Sequence, residues 1–109
     1  MITAENIIEF PPSMARKAKQ VADMLKALGH EHRMLILCLL ADGEKSVIEL
    51  ENLLSMRQPS VSQQLARLRA DNLVNQRRDG KTIYYSIADK KTLRLIKLLY
   101  EMYCGQDDE

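Results

Sequence analysis

Residues 46–87 read SVIELENLLSMRQPSVSQQLARLRADNLVNQRRDGKTIYYSI, and this stretch decides the fold. Ser46 and Glu49 stand at the S-x-x-E spacing of a capping box, in which each side chain satisfies a backbone amide that the first helical turn leaves unpaired. Val47, Leu50 and Leu54 then share one face of the short helix that the box opens. After Ser55-Met56-Arg57 a second helix begins, with Pro59 in its first turn, where a missing amide is tolerated. Its buried stripe is Val61, Leu65 and Leu68. Two helices three residues apart have the spacing of a helix-turn-helix, whose second helix lies in the major groove of DNA.

With Val61, Leu65 and Leu68 turned inward, Ser60, Gln63, Ala66 and Arg67 point outward, Ser62 and Gln64 lie on the flanks, and Gln58 opens the helix. Glutamine pairs with adenine, arginine with guanine or phosphate, and serine with either, while small residues let a helix approach the groove floor. A solvated helix face would carry the same residue types. The next segment, LVNQRRDGKTIYYSI at 73–87, is two β-prone runs around Asp79-Gly80, a strong hairpin signal, with Val74, Ile83, Tyr85 and Ile87 able to share an inward face. A hairpin that merely covers the core gives no reason for Arg77, Arg78 and Lys81 near its tip. A wing that contacts the DNA backbone does.

Working outward, residues 1–13 end in Pro11-Pro12 and read as a mobile arm, with Ser13 placed to cap a first helix from Met14 to Leu28. Ala18, Val21, Leu25 and Leu28 form the apolar stripe of that helix. The run from about His32 to Ala41, apolar nearly all round, predicts the most buried helix, ending before Gly43. A last helix from about Lys90 to Cys104 spreads leucines, Ile96, Tyr100, Met102 and Tyr103 over more than one face, more than one small domain can bury. With the extra apolar residues Met14, Met24 and Ala27 of the first helix, the terminal helices are therefore expected to pair across a two-fold axis, giving a homodimer with recognition helices about 34 Å apart. The predicted fold is mainly α with a β-hairpin wing: a winged helix-turn-helix ordered α-α-α-α-β-β-α over residues 14–105, followed by an acidic tail at 106–109.

At 109 residues the chain has the length of one domain. Its net charge of +1 is unevenly spread: from Arg57 to Lys81 six basic residues face two acidic ones, so the remainder is net acidic. That concentration suits a phosphate-facing surface. No apolar run long enough for a membrane span and no signal peptide is seen, so a cytoplasmic protein with no membrane partner is expected. Two cysteines, Cys38 and Cys104, are too few for a disulfide scaffold or a four-cysteine zinc module but leave sulfur chemistry open. No phosphate-binding glycine loop or convergent nucleophile, histidine and carboxylate set appears, so no enzyme is expected, and no cofactor is implied.

The segments LKALGHEHRMLILCLL, SVIELENLL, RQPSVSQQLARLR and LVNQRRDGKTIYYSI together resemble the ArsR/SmtB family of bacterial repressors over about residues 15–104. A cysteine in LILCLL and another in LYEMYCGQ resemble the persulfide- and sulfide-responsive branch, that of BigR, SqrR and HlyU. The resemblance implies a homodimer that occupies double-stranded operator DNA and is released by reactive sulfur species. In that branch the cysteines matching Cys38 and Cys104 react with persulfides or polysulfides and become bridged by sulfur within one subunit. Metal-sensing members resembling this chain carry a C-x-C motif on the helix here written SVIELENLL, or Asp and His ligands on the last helix; neither set is present, and no metal site is implied. His30 and His32 read as surface or capping residues. Two other readings stay open: a metal-responsive repressor of the same fold, and a dimerisation module that does not bind DNA.

Overall fold

A computed structural model describes residues 11–55 and 58–105. The elements run α1 (Pro12–Leu28), α2 (Glu31–Leu40), β1 (Lys45–Ser46), α3 (Val47–Leu54), α4 (Gln58–Ala70), β2 (Val74–Asp79), β3 (Thr82–Ile87) and α5 (Lys90–Cys104). The mainly helical winged architecture is as expected, with one addition. Strand β1 pairs with β3, making a three-stranded antiparallel sheet in the order β1-β3-β2. Two residues are too short to show a period of two, so no alternation announces β1.

The arm and the first cap need correction. Pro12 and Ser13 belong to α1, Pro11 is its N-cap, and no side-chain cap bond is made there. Proline's fixed φ and absent amide suit a helix start, so Pro11-Pro12 opens the helix where the sequence suggested a boundary at Ser13. Residues 1–10 and the tail at 106–109 lie outside the described residues.

The orientation of α1 also differs from expectation. Its C-terminal end docks Ala27 and Leu28 into the core with Met24 packed beside them, whereas Val21 and Leu25 remain 48% and 50% exposed. The Ala18–Val21–Leu25 stripe therefore faces away from its own subunit. Along α2, Ile36, Leu37 and Leu40 are buried and Cys38 and Leu39 partly so, but Leu35 is exposed. His30 caps this helix, its Nδ1 accepting from the His32 amide at 3.2 Å.

Both halves of the capping box form: Glu49 N–H donates to Ser46 Oγ at 3.2 Å and Ser46 N–H to Glu49 Oε1 at 2.8 Å. Leu50 is fully buried, with Val47 and Leu54 packed against the core. On α4, Val61, Leu65 and Leu68 are all at 0% exposure, as the stripe requires. The helix closes in a Schellman motif: Asn72 takes a left-handed φ of 61°, Leu73 N–H donates to the Leu68 carbonyl, and Asn72 N–H to that of Arg69. This cap turns the chain directly into β2.

The hairpin register pairs Val74 with Ile87, Gln76 with Tyr85 and Arg78 with Ile83, placing Val74, Ile83, Tyr85 and Ile87 on one face. Asp79 still pairs with Thr82, so the loop is Gly80-Lys81 rather than Asp79-Gly80. Gly80 at φ 65° supplies the positive angle that a type II′ turn needs at its first loop position. Helix α5 is capped by Asp89, which accepts from the Thr92 amide at 2.7 Å, and it buries Thr92 and Ile96. Leu98, Tyr100, Met102 and Tyr103 are 50–74% exposed.

Candidate functional site

Helix α4 is held by its buried stripe so that its opposite face is open: Ser60, Ser62, Gln63, Ala66 and Arg67 are exposed. The side chain of Gln58 lies outside the described residues. Gln64 is half-buried, and its Oε1 accepts from Arg33 Nη1 at 3.2 Å. Arg67 Nε donates to Asp71 Oδ2, one turn on, at 3.0 Å. An exposed pair of this kind contributes less than about 1 kcal/mol, so a phosphate or a guanine edge can displace Asp71.

On the wing the three basic residues separate into two roles. Arg78 and Lys81 are exposed, and neither takes part in an ion pair among the described residues. Arg77 sits on the outer face of the sheet, with Nε and Nη2 both donating to the Glu44 carboxylate at 2.8 Å, and its guanidinium lies 4.7 Å from the centroid of the Tyr84 ring. The Arg77 hydrogen bonds hold the Glu44 carboxyl below the usual carboxylate range. A bidentate, stacked guanidinium spends its Nε–Nη2 edge on Glu44, so Arg77 fastens the wing to the segment before β1. The sequence singled out Arg77 by its charge and gave no sign of Glu44, which stands 33 positions away.

The two cysteines lie on α2 and α5, helices that pack on one another. Cys38 lies in α2, half-buried, and Cys104 is the last residue of α5 and exposed; both are free. Burial pushes the Cys38 thiol up, and a charge on Cys104 pushes it further, so the two groups are within electrostatic reach of one another. It is the packing of α5 on α2 that puts residues 66 positions apart on neighbouring helices, which no local pattern encodes. Among the described residues no group of three or more His, Cys, Asp and Glu side chains is placed to hold a metal ion, and no helix is long and apolar enough to cross a membrane.

A helix-turn-helix with an open polar and basic face, followed at once by a hairpin with a basic tip, defines a winged helix-turn-helix DNA-binding protein. Residues 30–76 match the family model described as bacterial regulatory protein, arsR family. The chain is 45% identical over 104 residues to the biofilm growth-associated repressor of Agrobacterium fabrum, covering 94% of this chain and 89% of that protein. It is similar to the structure of reduced HlyU from Vibrio cholerae, with a TM-score of 0.82 and 38% identity over 86% of this chain and 99% of the other. It also resembles the homodimeric winged helix-turn-helix DNA-binding domain of Mb0332 from Mycobacterium bovis, at a TM-score of 0.73 and 32% identity over 94% of each chain. The chain belongs to the ArsR family of bacterial transcriptional regulators, and within it to the type of the biofilm growth-associated repressor and HlyU.

Proposed function

We propose that this chain is a homodimeric repressor that occupies operator DNA and leaves it when Cys38 and Cys104 react with persulfides or polysulfides. The observation that carries the sensing part is that the two free thiols lie on packed helices, α2 and α5, within electrostatic reach of one another. The exposed apolar faces of α1 and α5, together with the homodimeric Mb0332 domain, support pairing through the terminal helices. Ser60, Ser62, Gln63 and Arg67 face the major groove, with Gln58 at the start of the same helix. Arg78 and Lys81 meet phosphates, and Arg77 braces the wing.

The sulfur chemistry balances with the persulfide as oxidant. A Cys104 thiolate attacks the terminal sulfur of RS–SH, expelling RS⁻ and leaving Cys104–S–SH; the Cys38 thiolate then attacks the inner sulfur, expels HS⁻ and closes the bridge. A second persulfide that extends Cys104 before closure gives a longer bridge. Linking α2 to α5 ties the core to the dimer-forming helix, and a displaced helix pair misplaces the two reading heads.

Intact mass spectrometry of the reduced protein after exposure to glutathione persulfide, with operator binding measured on the same samples, tests this reading. Loss of both free thiols with weakened DNA binding, abolished by Cys38→Ser or Cys104→Ser, is expected. Unchanged operator affinity after full thiol modification refutes the sensing mechanism. A parallel sample with zinc, examined natively, retains metal only if the signal is a metal ion.

A further inference from the structure

Arg33 stands half-buried in the first turn of α2, and its guanidinium reaches two other helices. Nε donates to the Ala27 carbonyl in the last turn of α1 at 2.7 Å, and Nη1 donates to Gln64 Oε1 on α4 at 3.2 Å. Last-turn carbonyls of a helix have no donor of their own, so the Ala27 bond supplies one that α1 lacks. We infer that Arg33 is the positioning residue that presents Gln64 to operator DNA and couples the end of α1 to the recognition helix. The inference rests on the DNA-binding reading above.

The chemistry of the pair fixes its consequence. Arginine has donors only, so Gln64 must turn its oxygen toward α2, which leaves its amide NH₂ as the group available to a ligand. Held in this way, Gln64 meets an acceptor on a base edge: a purine N7, guanine O6 or thymine O4. The donor-and-acceptor pairing that glutamine makes with adenine is then not its role, which narrows the reading from residue type alone. The planar guanidinium also makes the two bonds interdependent. A shift of α1 relative to α2, the motion a rearranging dimer face would impose, pulls on the group that orients Gln64. Lysine has the charge but a single terminal nitrogen in place of the planar fork, so it does not hold the two acceptors in one fixed geometry.

The test begins with wild-type protein selecting bound duplexes from a random-sequence DNA pool. Failure to enrich any sequence refutes operator binding itself, separately from the role of Arg33. On the enriched duplex, Arg33→Met is expected to weaken binding about tenfold per half-site, the scale of a lost hydrogen bond to a charged group, and to relax base preference at one position per half-site. Arg33→Lys does not rescue it, and Arg33→Met with Gln64→Met binds no more weakly than Gln64→Met alone. Additive losses, or wild-type affinity and preference in a folded Arg33→Met protein, overturn the inference. If Arg33→Met fails to fold, Gln64→Glu decides: it keeps the acceptor for Arg33 but removes the outward donor. Its melting temperature should hold while binding falls at least tenfold, and wild-type binding by this variant overturns the inference equally.

Discussion

The division of labour on the wing yields a quantitative prediction. Each phosphate neutralised on duplex DNA contributes about −0.9 to the slope of log K against log salt. Arg78 is exposed and free of any ion pair among the described residues; if it meets one phosphate in each subunit of the proposed dimer, Arg78→Ala removes two such contacts and should flatten the slope by about 1.8. Between 50 and 200 mM salt the variant then loses about twelvefold less affinity than the wild type over the same interval. Arg77→Ala behaves differently. Its cation is paired with Glu44 at 2.8 Å, so on the proposed bracing role removing it frees a carboxylate and unfastens the wing without deleting a phosphate contact. Affinity should fall by a similar factor at every salt concentration, with the slope unchanged. Fluorescence anisotropy of labelled operator, titrated at four or more salt concentrations, measures both slopes. An Arg77→Ala slope as flat as that of Arg78→Ala refutes the assignment of Arg77 to the clamp.

Three further outcomes follow from the packing and the chemistry. Ser46→Ala breaks the capping box of α3 and should cost about 1 kcal/mol in urea unfolding, so an unchanged midpoint refutes that contribution of the box. Because burial and Cys104 raise the Cys38 thiol, bridge closure by Cys38 should accelerate as pH rises past the ordinary thiol range near 8.5, since the thiolate is the attacking form; stopped-flow mass analysis that finds closure already at its plateau by neutral pH contradicts that environment. Leu98→Glu places a charge on the exposed apolar face of α5 and should yield a folded monomer by sedimentation and circular dichroism, so a variant that remains dimeric moves the interface elsewhere.

Much of the DNA-reading half of the molecule was legible from residue order. The Ser46–Glu49 box, the Val61, Leu65 and Leu68 stripe, and the inward parity of Val74, Ile83, Tyr85 and Ile87 are local regularities, and all appear in the structure. They are legible because a helix or strand repeats its own geometry every few residues, so a pattern of side chains carries the face with it. Periodicity is weaker on α1: it identifies an apolar stripe but not what the stripe meets, and Val21 and Leu25 turn out to face away from the subunit. The Pro11-Pro12 pair misled in the opposite sense, since proline both interrupts chains and begins helices.

By itself, then, the sequence determined the five helices and the hairpin, the open polar face of α4 and the basic tip of the wing, all set by spacing and by side-chain chemistry over a few turns. Tertiary structure alone decided which cations remain available. Glu44 holds the Nε–Nη2 edge of Arg77 from 33 positions away, Arg33 captures Gln64 from 31, and α5, which carries Cys104, packs on the helix of Cys38. These are meetings between side chains on separate elements. Their partners depend on how the helices and sheet dock, a property of the whole buried core that no window along the chain contains.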